Sequence, residues 1–315
     1  AWVRWDDFGY FSQWFHYGDS FGYNHRYETG RFQLFLYDAL DAGALHLAAV
    51  DTDLPPAVWH HVAVSCGPGG LRQYHNGVLV AAAPFTGCFD HAVSEEGRFE
   101  LGRGPWGTNR LFRGSLDDVH VWSYERTADQ IRKSMHNPDA APSVGLVGRW
   151  TFDASDVRDS SSRGHHGILH DDARVVEAPH PAATDRVPLT LLTGQGADSS
   201  GAVPVGAVIE IWQGDQITLS TPVPSDGNFR VVHYGRSPYH LRTTAGDMGT
   251  WVALPAPSMD TRNLHVTLSA ANRVTGTVRS LDAAPLEGVA LDLMHVDGDS
   301  LVRVDTRFTD WQGQY

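Results

Sequence analysis

Carboxylates are the first residues in this sequence whose spacing can be tested against a known chemistry. Asp117 and Asp118 lie inside an apolar run, and Glu95 and Glu96 lie in a polar stretch that predicts a loop. A glycosidase needs two carboxyl groups that face each other across a cleft, about 5 to 9.5 Å apart. Asp117 and Asp118 are adjacent on a strand and point to opposite faces. Glu95 and Glu96 lie in a loop, so neither pair resembles a glycosidase strand with carboxylates at alternate positions on one face. We therefore expect the chain not to be an enzyme.

Histidine is abundant, with 17 copies, but its spacing does not favour a metal centre. The two adjacent pairs are His60-His61 and His165-His166. Two imidazoles that point to opposite faces of a strand do not form a ready chelate. The sequence also lacks a Gly-x-Ser-x-Gly elbow, a phosphate-binding glycine loop and a His-Glu-x-x-His helix. These patterns therefore predict neither a nucleophilic nor a zinc-dependent catalytic centre.

Asp117 is the strongest single candidate for a specific role. By alternation along a strand it shares a face with Val119 and Val121, which we expect to point inward. A carboxylate that faces a core must be paired or must bind a cation. The favoured interpretation is that Asp117 accepts backbone N–H groups at a strand corner.

The stretch 59–80 is the centre of the predicted fold. Its sequence predicts two tight turns that join three short strands. Glycines and a proline at 67–70 predict the first turn, since glycine adopts positive φ without strain. Asn76-Gly77 predicts the second, because Asn-Gly between apolar runs is the strongest short-range hairpin signal. Further strands are predicted at 31–37, 44–48, 98–102 and 112–122.

One helix is predicted after these strands. Thr127 and Gln130 form a capping-box pattern, and 128–135 contains acceptable helix formers. Pro138 ends the helix because proline lacks the N–H that a further turn requires. The helix is short, so we expect it to connect strands and not to form a core.

Composition narrows the function classes. The 315 residues suggest about two domains, and 42% hydrophobic residues are typical of globular chains. A formal net charge of -13 argues against binding to nucleic acid or to anionic membrane. No apolar run approaches the roughly 18 residues of a membrane span. The chain opens and closes inside predicted strands, so we expect a piece of a longer protein with neighbouring domains.

Four motifs in order carry a resemblance to a known family. They lie at 59–64, 76–80, 101–104 and 114–122, and the helix follows them. Together they resemble the laminin-G-like, concanavalin A-like jelly-roll family over roughly the first 140 residues, with the usual opening strands missing. The segment 146–169 resembles the family's opening segment. We expect 146–152 to pair back onto the first sandwich and to cover a sheet edge.

The resemblance implies a calcium site and a surface for ligands. In such folds an aspartate at the position of Asp117 often holds a structural calcium, and Asp153 is then a second candidate ligand. Trp14, Tyr23 and Trp106 are candidate platforms for sugar rings, although packing in the core or rim is the favoured alternative.

Gln73 and His75 depart from the pattern of that family, because it usually has apolar residues at these positions. Both lie on one face of a predicted strand by alternation. They are candidates for hydrogen bonds to a ligand on a concave face, and the favoured alternative is that they point to solvent.

Two cysteines, Cys66 and Cys88, end the first and third strands of the central group. These strand ends lie at the same edge but two strand spacings apart, farther than the roughly 7 Å that a disulfide allows between Cα atoms. Curling of the loop at 85–87 would close the gap. A disulfide is therefore one of two alternatives, and free thiols are the other.

An internal repeat begins after a predicted linker at 179–181. The segment 204–211 aligns with 286–293, and 225–229 aligns with 311–315. The second copy resembles the carboxypeptidase-regulatory-like family of small transthyretin-like β-sandwiches, and the first copy is more divergent. The resemblance implies a second sandwich followed by the start of a third.

We therefore expect an all-β chain: a concanavalin A-like jelly-roll sandwich followed by small Ig-like or transthyretin-like sandwiches. The expected domains are 1–183, with 144–178 as a closing segment, then 184–270, then a truncated copy at 271–315. The resemblances imply an extracellular or cell-surface module array, without catalysis, that binds a glycan or a protein. A structural spacer or adhesion module is the alternative, and a glycoside hydrolase is the least favoured.

Overall fold

The computed structural model describes residues 1–9, 11–26, 30–92, 98–104, 110–137, 139, 143–154, 156–177, 186–214, 216–270, 277–280, 284–297, 300–312 and 314. The elements in chain order are β1 (Trp2–Trp5), β2 (Phe11–Tyr17), β3 (Phe21–Arg26), β4 (Arg31–Asp38), β5 (Ala44–Thr52), β6 (Trp59–Ser65), β7 (Leu71–His75), β8 (Val78–Ala83), β9 (Phe99–Leu101), β10 (Gly114–Asp117), β11 (Val119–Trp122), α1 (Ala128–His136), β12 (Leu146–Trp150), β13 (Leu189–Asp198), β14 (Val208–Gln213), β15 (Gln216–Pro222), β16 (Asn228–Tyr234), β17 (Tyr239–Ala245), β18 (Met248–Leu254), β19 (Asp260–Ala270), β20 (Ala290–Asp297) and β21 (Ser300–Phe308). The fold is all-β apart from α1 in the described part of the chain, as the sequence predicts. That helix is too short to cross a membrane.

The chain divides into two compact units. Unit 1 comprises 1–192, 230–236 and 257–262, and unit 2 comprises 193–229, 237–256 and 263–315. The predicted linker at 179–181 lies outside the described residues. The predicted domain boundaries stay predictions.

Unit 1 is a sandwich of two sheets around an apolar core. One sheet has the order β10-β1-β6-β7-β8, and the other runs β9-β2-β3-β4-β5. Alternate side chains of each strand point inward, and the aromatic and aliphatic ones pack between the two sheets. The largest fully buried ones in this unit include Trp5, Tyr23, Phe32, Leu34 and Leu71.

The central hairpins form as the sequence predicts. β6 pairs with β7 and β7 with β8, both antiparallel. Asn76 has a φ of 47° and Gly77 a φ of 81°, which are the two positive values that a two-residue type I′ turn requires. The helix also matches its prediction, since Thr127 and Gln130 form both bonds of the capping box.

The predicted strand at 112–122 is interrupted. Asp118 has a φ of 47°, in the left-handed region that aspartate adopts more readily than most residues. The chain changes direction there and continues as β11, which pairs antiparallel with β12. The prediction that 146–152 pairs with earlier residues of the chain is therefore confirmed. β11 and β12 form a two-stranded sheet of their own, so the expectation that this segment covers an edge of the sandwich stays a prediction.

Residues 230–236 complete unit 1 from far along the chain. Val231 and Val232 pair in parallel with Asp51 and Thr52 of β5. Next to them, His233 Nδ1 lies 2.5 Å from an oxygen of Asp53. This strand segment therefore covers the β5 edge of the sheet, a position that would otherwise expose unpaired backbone groups.

Unit 2 contains antiparallel pairs of its own. β14 pairs with β15 and β17, and β17 pairs with β18. The glycines aligned by the internal repeat share one backbone conformation, since Gly206 has a φ of 75° and Gly288 a φ of 71°. Both glycines therefore occupy turns that favour this residue.

Candidate functional site

The sequence-predicted ligand residues lie in the interior of unit 1. Trp14 is 5% exposed, and Tyr23, Gln73 and His75 are 0% exposed. Trp14 is the extra residue at an irregularity of the β2–β3 ladder, and its ring contacts those of Phe15 and Tyr23. None of these rings presents a face to solvent, so the favoured alternative, packing in the core, is confirmed for Trp14 and Tyr23, and the sugar-platform alternative is wrong for them. Trp106 lies outside the described residues.

Gln73 and His75 face the core, and the expectation that they point to solvent is wrong. Partners distant in the sequence satisfy them there. The Gln73 amide donates to the carbonyl of Ala48 at 3.2 Å. The two ring nitrogens of His75 lie 2.5 Å from the Tyr23 hydroxyl and 2.7 Å from the Tyr234 hydroxyl. Burial lowers the pKa of His75 to about 3, so this imidazole is neutral and bridges the two sheets.

Asp117 lies at the end of β10, where its carboxylate accepts the N–H of Asp118 at 2.8 Å. Asp118, and not Asp117, is the buried member of the pair, because the turn at Asp118 breaks the alternation assumed from the sequence. Asp153 is exposed. The described residues contain no group of three or more His, Cys, Asp or Glu that could hold a metal ion. The calcium site stays a prediction.

Cys66 and Cys88 form a disulfide, with their Cα atoms 5.3 Å apart. The loop that carries Cys88 is also held by His91, whose Nδ1 lies 2.9 Å from an oxygen of Asp38. In the same loop, Phe85 stacks on His46 of β5. The loop therefore curls back onto the sandwich, which brings the two strand ends within bonding range.

The outer face of the β9-β2-β3-β4-β5 sheet is the surface with the chemistry of a binding site. On β4, Phe32, Leu34 and Leu36 belong to the core, so the alternating residues Gln33 and Tyr37 point outward. Ladder registers then place three rows across neighbouring strands. The rows are Gln13-Asn24-Gln33-Ala49, Glu100-His16-Gly22-Phe35-Leu47 and, at the end of the face, Tyr37-Leu45.

Three carboxamides follow one another across this face. Gln13, Asn24 and Gln33 are register partners on β2, β3 and β4. The side-chain oxygens of Gln13 and Asn24 are buried and have no hydrogen-bond partner among the described residues. A buried amide oxygen without a partner is rare, so these two positions favour a donor from outside the described structure. Gln33 is partly exposed and forms the accessible end of the row.

Glycine shapes the centre of the face. A Cβ at Gly22 would lie 2.5 Å from the Gln13 side chain and 2.9 Å from the Phe35 ring. The missing side chain therefore lets Gln13 and Phe35 converge over β3. A Cβ at Gly104 would lie 2.3 Å from the Gln13 oxygen, so backbone covers the β2 end of the row while the β4–β5 end stays open.

An apolar block occupies the open end. Tyr37 is 38% exposed, Leu45 50% and Leu47 37%. Phe35 lies beside them and its ring is 6.0 Å from that of Tyr37. An exposed apolar patch with a polar rim is typical of a binding surface. The block and Gln33 together offer an aromatic face with an amide at its edge.

Two carboxylates, Glu100 on β9 and Asp51 on β5, lie on this face in the described strands. Four strand spacings separate them, which is about 19 Å at about 4.8 Å per spacing. That exceeds the separation of a glycosidase pair. The two groups therefore do not form a hydrolytic pair.

Sequence reasoning missed Gln13, Asn24, Gln33 and Tyr37. The signal for β4 was present, because Gln33 and Tyr37 alternate with the apolar residues at 32, 34 and 36. No sequence pattern indicates that Gln13, Asn24 and Gln33 lie side by side. Their alignment depends on the registers of three strands and on the bulge at Trp14.

Comparison with known proteins identifies a family for the first part of the chain. Residues 1–132 match the model of the laminin-G-type "concanavalin A-like lectin/glucanases superfamily". These residues thus form a concanavalin A-like jelly-roll domain, as the sequence motifs indicated. The carboxypeptidase-regulatory-like repeats stay predictions. None of the curated proteins compared with the chain matches it.

Solved structures give distant likenesses. A Bacteroides ovatus protein described as a "putative carbohydrate binding protein" shares 20% identity over 56% of this chain and 54% of its own, with a TM-score of 0.42. A streptococcal ancillary pilin shares 10% identity over 78% of this chain and 68% of its own, with a TM-score of 0.22. The chain thus spans about half the length of the first. At these scores neither likeness carries an argument about function.

Proposed function

We propose that this chain is a non-catalytic module that binds a glycan on the outer face of the β4–β5 pair. One observation carries the proposal: Tyr37 and two leucines form an exposed apolar block beside the amide of Gln33. A sugar ring has an apolar face and a rim of hydroxyls, so it suits an aromatic surface flanked by an amide. The family matched by residues 1–132 includes lectins by its description, which supports the same class.

A glycan array with the full chain tests this proposal. Tyr37→Ala removes the aromatic face, and Tyr124→Ala is the matched control, because the two tyrosines are 38% and 39% exposed. We expect binding by the wild type and by the Tyr124 variant, and loss of about tenfold or more in affinity for the Tyr37 variant. Thermal melting of both variants shows whether the fold is intact.

If Tyr37→Ala and Tyr124→Ala bind the glycan equally well, the binding site does not include Tyr37. Silence of the wild type across the array would favour the structural spacer or adhesion module, and glycan-binding would be abandoned. Release of reducing ends from any bound glycan would overturn the assignment as non-catalytic.

A protein ligand is the second candidate, favoured by the size of the apolar block. Leu40 is 72% exposed in the turn after β4, next to Tyr37 and Leu45. Contiguous exposed apolar side chains also occur at protein interfaces. Capture of a protein that is lost with Tyr37→Ala, without any glycan binding, would favour this candidate.

We also propose that the chain works outside the cell or at the cell surface. The Cys66–Cys88 disulfide supports this, because such bonds persist in oxidising compartments. A structural calcium near Asp117 is proposed only from the family resemblance. Calorimetry in chelator and in millimolar calcium tests it, and equal melting temperatures would exclude it.

A further inference from the structure

Four side chains with N–H groups lie together on the β11–β12 sheet and at the start of α1. His120 of β11 is the register partner of Arg149 of β12. The rings of His120 and Trp122, alternate residues of β11, have their centroids 5.2 Å apart. The guanidinium carbon of Arg126 lies 4.0 Å from the centroid of the Trp122 ring. These four residues form the Arg126 cluster.

The Arg126 cluster contains buried donors that have no acceptor. Arg126 is only 6% exposed, and its Nη2 donates to the carbonyl of Gln130 at 2.9 Å and to the hydroxyl of Ser134 at 2.8 Å. Its Nε and Nη1, the Nε1 of Trp122 and the Nε of Arg149 are buried without a hydrogen-bond partner among the described residues. Guanidinium and indole nitrogens donate and do not accept, so these groups cannot satisfy one another. The cluster therefore requires an acceptor from outside it.

The same place concentrates positive charge in a chain whose formal net charge is -13. Burial lowers the pKa of Arg126. Burial is also the main cause that lowers the pKa of His120 to about 3, and the charges of Arg149 and Arg126 act in the same direction. Two cationic side chains thus lie close together where burial penalises their charge, which favours an acceptor that is negatively charged.

Asp139 is a carboxylate at the edge of the Arg126 cluster. It accepts the Nη2 of Arg149 at 2.5 Å, and its side chain is 85% exposed. The Nε and Nη2 donors lie on one edge of a guanidinium group, which can bind a carboxylate through two parallel hydrogen bonds. Asp139 occupies the Nη2 donor and leaves the buried Nε without an acceptor in the described structure. Exposed ion pairs are weak, so an external carboxylate that bonds with both donors can replace Asp139.

We propose that the Arg126 cluster binds one small carboxylate, which replaces Asp139 on the Nε–Nη2 edge of Arg149 and accepts the N–H groups of Trp122 and Arg126. A carboxylate suits this place because its two oxygens accept several hydrogen bonds and donate none. Asp139 is then an internal competitor of the ligand. The site lies on other strands than the proposed glycan surface of β4 and β5, so this inference does not depend on that proposal.

The test is a titration of the full chain with sodium acetate, followed by NMR of the indole N–H signals at constant ionic strength set with NaCl. The chain has ten tryptophans, and the signal that is missing in Trp122→Phe belongs to Trp122. We expect this signal to shift and saturate with a Kd of about 1 mM. Acetamide, which has nearly the same shape without the charge, should not shift it. Sodium sulfate and sodium glucuronate, titrated in the same way, compare a second oxyanion and a carboxylate on a sugar.

Three variants separate the contributions to acetate binding. Arg149→Gln removes the bidentate edge and should weaken binding by about tenfold or more. Asp139→Asn removes the internal competitor and should tighten binding by about threefold. Arg174→Gln is the matched control, because Arg174 is an exposed arginine of the same unit, and it should change the Kd by less than about twofold. Melting temperatures show whether the variants fold, and Arg149→Lys, which keeps the charge without the fork, replaces Arg149→Gln if the latter does not fold.

Each outcome decides the proposal. A saturable shift that is weakened by Arg149→Gln and tightened by Asp139→Asn would support it, and glucuronate binding with the same variant effects would extend it to sugar acids. No shift with about 100 mM acetate would mean that water satisfies the buried donors, and this would overturn it. Equal shifts with acetamide, or equal affinity in Arg149→Gln and Arg174→Gln, would also overturn it. Tighter binding of sulfate than of acetate would overturn the carboxylate assignment. None of these results bears on glycan binding at Tyr37.

Discussion

Buried histidines make the stability of unit 1 depend on pH. Burial lowers the pKa of His25 to about 4, of His60 to about 4 and of His75 to about 3. The ordinary value in an unfolded chain is about 6.5. Each group therefore stays neutral in the folded protein while the unfolded chain takes up a proton. The contribution of each neutral histidine to the free energy of unfolding is complete above about pH 6.5. It is lost as the pH falls toward 4 for His25 and His60, and toward 3 for His75.

The size of the effect follows from these pKa values. A proton taken up only by the unfolded state costs about 1.4 kcal/mol per pH unit. Between pH 6.5 and 5.5 the unfolded histidine is only partly protonated at the start, so each group costs about 1 kcal/mol and the three together about 3 kcal/mol. The free energy of unfolding of a typical domain is about 5 to 15 kcal/mol. A loss of about 3 kcal/mol is therefore a large fraction of the total stability.

Urea unfolding at pH 7.5, 6.5 and 5.5, followed by tryptophan fluorescence, measures the effect. His75→Gln removes one titrating group, so we expect its loss of stability between pH 6.5 and 5.5 to be smaller than that of the wild type by about 1 kcal/mol. His170→Gln is the control, because His170 is exposed. If His75→Gln does not fold, His60→Gln tests the same point. Wild-type stability that is flat from pH 7.5 to 5.5 would refute the reasoning.

Three further predictions concern local interactions. Asp159 accepts hydrogen bonds from the backbone of Arg149 and from the backbone and hydroxyl of Ser161, so Asp159→Ala should lower the free energy of unfolding by about 2 kcal/mol in urea titrations, and no loss would contradict this. Thr127→Ala removes the N-cap of α1 and should cost about 1 kcal/mol by the same assay, whereas an unchanged midpoint would show that the cap is dispensable. Reduction of the disulfide should cost about 3 kcal/mol, visible as a lower melting temperature in a reducing agent than in its absence.

Local patterns predicted the local structure. Asn76-Gly77 and the Thr127 capping box each depend on a few adjacent residues, and both have the expected geometry. Strand positions were also predictable, because apolar residues alternate along β4. The motifs in the first 140 residues identified the sandwich for the same reason, since each motif is a short run of adjacent residues.

Long-range contacts account for the errors. Gln73 and His75 are polar, and polar residues on a strand normally face solvent. They are buried because Ala48 and Tyr234 supply their partners, and neither partner can be found from spacing. Asp117 was placed inward by alternation, but the positive φ at Asp118 breaks the strand. The amide row depends in the same way on the registers of three strands.

Residues 230–236 have a consequence for synthesis of the chain. A ribosome adds about 5 to 20 residues per second, and it completes the strands up to β12 well before it reaches this segment. During that interval the nascent sandwich lacks Tyr234 beside His75 and has an uncovered β5. The emerging protein is therefore most open to mispairing with another nascent copy at this stage. A laboratory fragment that stops before residue 230 would retain that vulnerability permanently.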